Sequence, residues 1–114
     1  MNDFLLVFRN STQAGAQQPS PQQMQDMMKR WQDWIGGLAA QDKLVDRGNP
    51  LLRDGKVVKA GGLVTNGPYA DISESIGGYT LIRAESLEEA ARLTEGCPIF
   101  EMGGSVEVRQ ISPM

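Results

Sequence analysis

The chain predicts an α+β fold in which two helices cover one face of an antiparallel sheet, and three observations carry that prediction. Two Ser-led capping boxes mark two helix starts, at Ser20 and Ser86. Three segments carry strand-like apolar residues, around 3–9, 79–84 and 105–111. Glycine and proline punctuate the chain most densely between Gly61 and Gly78, where extra strands are expected between the two helices.

The elements follow in order. Asp3 to Arg9 places Phe4, Leu6 and Phe8 on one side and Leu5 and Val7 on the other, as in a strand covered on both faces. Residues 10–19 form a polar loop, read as a solvated connection or, alternatively, a lid over a site. Ser20-Pro21-Gln22-Gln23 combines a capping hydroxyl, a proline at the first helical position and a reciprocating glutamine. The helix predicted from there to about Gln41 carries Met24, Met27, Met28, Trp31, Trp34, Ile35 and Leu38 on one stripe. Packing against the sheet is the commoner use of such a stripe; lining a cofactor pocket is the alternative.

Leu44 to Asn49 is a short second strand. Asp54-Gly55 between Leu51–Arg53 and Lys56–Val58 predicts a hairpin, because that dipeptide accepts the left-handed angles of a type I′ turn. Leu63–Thr65, a turn at Asn66-Gly67-Pro68, a polar segment over 69–76 and a strand over Tyr79–Ala84 come next. A short helix from Ser86 is expected to bury Leu87, Ala90, Ala91 and Thr94 and to end at Gly96 and Pro98. Ser105 to Ile111 alternates Val106 and Val108 against Glu107, Arg109 and Ile111. The order β, α, β, inserted hairpin, β, α, β is the ferredoxin-like split βαβ pattern within a single domain of residues 1–114.

Two helices cover only one sheet face. If Val106, Val108, Thr80, Ile82 and Ala84 meet them, the open face carries Leu5, Val7, Tyr79, Leu81 and Ile111 among a few charges. An apolar sheet of this kind predicts a homodimer with the sheets packed face to face. Arg83, Arg109 and Glu107 then lie in or around the inter-subunit space, as a stabilising Arg–Glu pair or as an anion-binding group.

Composition narrows the chemistry. The 114 residues are 40% apolar and 22% charged, with a net charge of −3, and their 11 Lys and Arg are scattered, which argues against a nucleic-acid surface. No signal peptide or membrane-spanning run is visible, so a cytoplasmic location is expected. The one cysteine, Cys97, has no internal disulfide partner, which agrees with a reducing compartment. The chain has no histidine, so imidazole general bases and His-ligated metals are excluded, and no metal or cofactor is expected. Cys97 sits beyond a helix C-terminus, where the helix dipole raises a thiol's pKa. The three glycine pairs at 61–62, 77–78 and 103–104 read as bends where strands pack closely.

The run Thr65-Asn66-Gly67-Pro68-Tyr69-Ala70-Asp71, followed by Glu74 and Ile76-Gly77-Gly78-Tyr79, resembles the signature of the DGPF branch of the YCII-related family. Gly96-Cys97-Pro98 and the closing Gly103-Gly104-Ser105-Val106-Glu107-Val108-Arg109 extend the resemblance over nearly the whole chain. The resemblance implies a ferredoxin-like fold assembled as a dimeric α/β barrel. It fixes no activity: one branch carries a His-Asp pair proposed as catalytic, and a relative joined to aromatic degradation is a dehydrochlorinase. This chain has no histidine to transfer, and Asn66 and Tyr69 stand where the branch has Asp and Phe.

The candidate ligand-binding residues are Asn66, Gly67, Pro68, Tyr69, Arg83 and Arg109, and the candidate catalytic carboxylates are Asp71, Glu74 and Glu107. Asp71 and Glu74 share a face if their segment is helical, where coupling raises one pKa; the alternative is two solvated carboxylates. Two functions follow. One is a dimeric module binding a small molecule or a partner in an inter-subunit cleft without catalysis. The other is a cofactor-free enzyme of lyase or acid–base type acting on a small organic substrate.

Overall fold

The computed structural model describes residues 1–9, 20–52, 54–66 and 76–113. Its main sheet has four antiparallel strands in the order β2 (Leu44–Asp46), β5 (Ile76–Ala84), β1 (Asn2–Arg9), β6 (Ser105–Gln110). With α1 (Pro21–Ala40) and α2 (Leu87–Leu93), this is the predicted ferredoxin-like arrangement.

The expected parity of the central strands holds. Phe4, Leu6, Ile82 and Ala84 are fully buried and Thr80 nearly so. They form the helix-side layer with Phe8, Leu38, Ala90, Cys97 and Ile99, and Val106 and Val108 pack against it. Burying one of the Phe, Leu or Ile side chains of this layer contributes about 1.5–3 kcal/mol. Registers Leu5↔Leu81, Val7↔Tyr79, Val7↔Glu107 and Leu5↔Arg109 place these side chains in rows on the opposite face.

Both ends of α1 follow local chemistry. The Gln23 backbone N–H donates to Ser20 Oγ at 3.2 Å, and the Ser20 N–H donates to Gln23 Oε1 at 2.9 Å. At the other end the Gln41 N–H donates to the Gly37 carbonyl at 3.3 Å, closing the last turn. The apolar stripe of α1 divides in two. Phe8, Trp31 and Trp34 meet edge to face, with centroids 5.1 Å (Phe8–Trp31), 6.0 Å (Phe8–Trp34) and 5.8 Å (Trp31–Trp34) apart. The Trp34 indole donates to the Leu93 carbonyl at 3.0 Å, tying α1 to α2. Met24 and Met28, earlier on the same stripe, stay exposed.

Four local expectations are corrected. The hairpin joins β3 (Lys56–Val58) to β4 (Val64–Asn66), with Val58↔Val64 and Lys56↔Asn66 in register, so its turn lies between Val58 and Val64 and not at Asp54-Gly55. Leu51 cannot serve as the partner strand, because its N–H already donates to the Gly77 carbonyl at 2.8 Å. Gly61 and Gly62, at φ 88° and 83°, supply the left-handed turn. β2 ends at Asp46 rather than Asn49, because Gly48 adopts φ 67° and breaks the pleat. The buried face of α2 comprises Ala90, Leu93 and Thr94, whereas Leu87 and Ala91 face solvent. Finally, Gly78 and Gly104 do mark close backbone approaches, whereas Gly61 and Gly62 have open space around them.

The second capping box is half formed. The Glu89 N–H donates to Ser86 Oγ at 3.1 Å, but the Glu89 carboxylate turns to Lys43, 2.7 Å away. That hydrogen bond with Lys43 holds Glu89 below the usual carboxylate range.

Candidate functional site

A cavity of about 460 Å³ opens on the helix side of the sheet, between α1 and the N-terminal half of β5. Phe8, Trp31, Ile35, Ile99, Met28 and Met102 make most of its wall apolar. One rim is the segment 47–50, which β5 stitches into place. Asp46 Oδ1 accepts from the Gly48 N–H at 2.8 Å, folding the chain back just after β2. The Thr80 hydroxyl donates to the Arg47 carbonyl at 2.8 Å, and the Tyr79 N–H donates to the Asn49 carbonyl at 3.3 Å. Pro50 bridges Gly78, whose missing side chain leaves room: a Cβ there would lie 3.0 Å from the Asn49 oxygen.

The stripe of α1 thus faces both the core and the cavity. Trp34 and Leu38 pack in the core; Met28, Trp31 and Ile35 line the cavity. Periodicity places these residues on one face and does not reveal where the sheet beneath them stops. The cavity's walls at 47–50 and in the 3₁₀ turn Pro98–Met102 come from distant sequence and carry no motif of their own, whereas its β5 wall includes the Gly77-Gly78-Tyr79 run of the DGPF-like signature.

None of the predicted site residues is among the described residues lining this cavity. Gly67, Pro68, Tyr69, Asp71 and Glu74 lie outside the described residues. Asn66 ends β4, exposed, and its Oδ1 accepts from Lys56 Nζ at 3.0 Å. Glu107, Arg83 and Arg109 sit on the opposite, open sheet face, with Arg9 joining them. Glu107 lies 3.1 Å from Arg9 and 3.3 Å from Arg109. The hydrogen bond from Arg9, then that from Arg109, holds its carboxyl below the usual range. A carboxylate so held is an electrostatic partner with little basicity near neutral pH. Sequence reasoning paired Glu107 with an arginine but missed Arg9, which reaches it diagonally from β1. Arg83 differs: its Nε is buried and meets no hydrogen-bond partner among the described residues.

Cys97 is buried, and desolvation pushes its thiol up to about 11. The direction agrees with the sequence reading, but the cause is burial rather than the helix end. Among the described residues, no three His, Cys, Asp or Glu side chains cluster as metal ligands, and no helix is long and apolar enough to cross a membrane.

Comparison with solved structures gives a match over 97% of this chain and 95% of the other, at 20% identity and a TM-score of 0.51. That structure is 5-chloro-2-hydroxyhydroquinone dehydrochlorinase (TftG) from Burkholderia phenoliruptrix AC1100, in complex with 2,5-dihydroxybenzoquinone. At this identity the likeness shows a shared fold. No curated protein matches the chain. The YCII-related domain matches residues 4–114, and on that match the chain belongs to the YCII-related family.

Proposed function

We propose that this protein binds a small organic molecule with an apolar, ring-shaped body in the cavity between α1 and β5. The observation that carries this reading is the cavity's makeup: about 460 Å³, within the range of small-molecule sites, walled by Phe8, Trp31, Ile35 and Ile99. Its volume suits one or two rings, and the edge-to-face pair of Phe8 and Trp31 offers a flat ligand both a face and an edge. The ring-shaped ligand of TftG, a protein of the same fold, agrees with this choice. The described residues lining the cavity include no carboxylate, cysteine or lysine to act as base or nucleophile. Binding without catalysis is therefore the reading, in place of lyase chemistry at the open face.

The protein acts as a homodimer with its open sheet faces paired, in a cytoplasm where Cys97 stays a thiol. Leu5, Tyr79 and Leu81, half-buried in a row beside Val7 on that face, support the pairing. A thermal-shift titration with hydroquinone and 2,5-dihydroxybenzoquinone tests the binding reading. A rise in melting temperature that grows with ligand concentration is expected, and no rise at millimolar ligand contradicts it. Sedimentation tests the assembly: a dimer is expected for the wild type and a monomer for Leu81→Glu, and a monomeric wild type contradicts it.

A further inference from the structure

Arg47 is the single charged residue among the described residues lining the cavity, in a chain whose net charge is −3. Its backbone is fixed at the rim, since its carbonyl accepts from the buried Thr80 hydroxyl at 2.8 Å. Its side chain is exposed and makes no ion pair or hydrogen bond with the described residues, unlike Arg9, Arg30 and Arg109, which pair with glutamates.

We propose that the cavity selects a planar aromatic anion, a ring carrying a carboxylate or a phenolate, with Arg47 receiving the charge and the Phe8–Trp31 wall receiving the ring. This rests on the cavity being the binding site, and it adds the ligand's charge and shape. An anion entering so apolar a space loses water that no neutral wall replaces. A guanidinium at the rim offsets that loss with charge-assisted, two-pronged hydrogen bonds that suit a carboxylate. A cationic ligand meets repulsion instead, and a bulky saturated ring lacks the flat face that two crossed aromatic rings accept.

The test is a titration of the ¹⁵N-labelled protein with benzoate, its neutral near-isostere benzamide, and the non-planar cyclohexanecarboxylate. The Trp31 indole N–H signal reports occupancy of the cavity. Benzoate is expected to bind about tenfold more tightly than benzamide, the scale of one charge-assisted hydrogen bond. It should also bind severalfold more tightly than cyclohexanecarboxylate. In Arg47→Gln, an exposed substitution, benzoate should fall to the level of benzamide. Equal affinities for benzoate and benzamide, or full benzoate affinity in Arg47→Gln, overturn the anion selectivity and leave the cavity reading standing. Equal affinities for benzoate and cyclohexanecarboxylate overturn the selection of flat rings. Failure of all three compounds to move the Trp31 signal overturns this inference together with the cavity reading.

Discussion

Gly48→Ala is the substitution whose cost the structure specifies most fully. Gly48 sits at φ 67°, where an L side chain costs roughly 1–2 kcal/mol. A Cβ built there would lie 1.8 Å from the Tyr79 carbonyl oxygen, whereas real Cβ contacts essentially never fall under 3.0 Å. The neighbour is backbone of β5, held between β2 and β1, so it is the turn at 47–50 that must shift, on the order of 1 Å, to relieve the clash. That movement strains the Thr80–Arg47 and Tyr79–Asn49 hydrogen bonds, each worth about 1 kcal/mol. The sum is on the order of 3 kcal/mol, or roughly 12 °C in melting temperature at about 4 °C per kcal/mol for a chain of this size. The assay is thermal unfolding by circular dichroism, with Gly36→Ala as the matched control. Gly36 lies inside α1, where an added Cβ would meet nothing within 4 Å, so alanine there should stabilise by about 0.5–1 kcal/mol. If Gly48→Ala melts within about 2 °C of the wild type, as an ordinary surface change would, the rigid rim inferred for the cavity is refuted.

Two further predictions concern titration. The folded-state pKa of Glu107 is depressed, so its contribution to stability is fully present above the ordinary carboxylate value of 4.5 and is lost as pH falls through the folded value. The stability gap between the wild type and Glu107→Gln, followed by urea unfolding, should therefore shrink on acidification below that point; a gap that widens contradicts the Arg9–Glu107–Arg109 arrangement. Cys97, buried and with its thiol near 11, should resist iodoacetamide at pH 8 in the folded protein and react promptly in urea. Rapid labelling of the native protein would place the thiol in solvent.

Local chemistry was what the sequence conveyed best. The capping box at Ser20 needs only four residues, and the alternation of β5 and β6 needs only that one face be buried, so both were legible. The hairpin was misplaced for the same reason that it looked secure. Asp54-Gly55 is a local turn signal, but the pairing was decided by Gly77 taking the Leu51 N–H, a contact between segments far apart in sequence. The open-face charges were legible from strand parity, except Arg9, whose reach to Glu107 crosses strands diagonally. The cavity was not legible as a site. Its aromatic wall was visible as a helical stripe, while its rim depends on a positive-φ glycine and a 3₁₀ turn meeting in space.

The central claim is that ligand binds on the helix side of the sheet, beside Trp31, rather than among the charges of the open face. A ¹⁵N-edited titration with hydroquinone, followed at the backbone amides and the indole N–H groups, separates the two directly. Binding beside Trp31 predicts shifts concentrated at Phe8, the Trp31 indole, Gly78 and Thr80. Shifts concentrated instead at Arg83, Glu107 and Arg109 would contradict it.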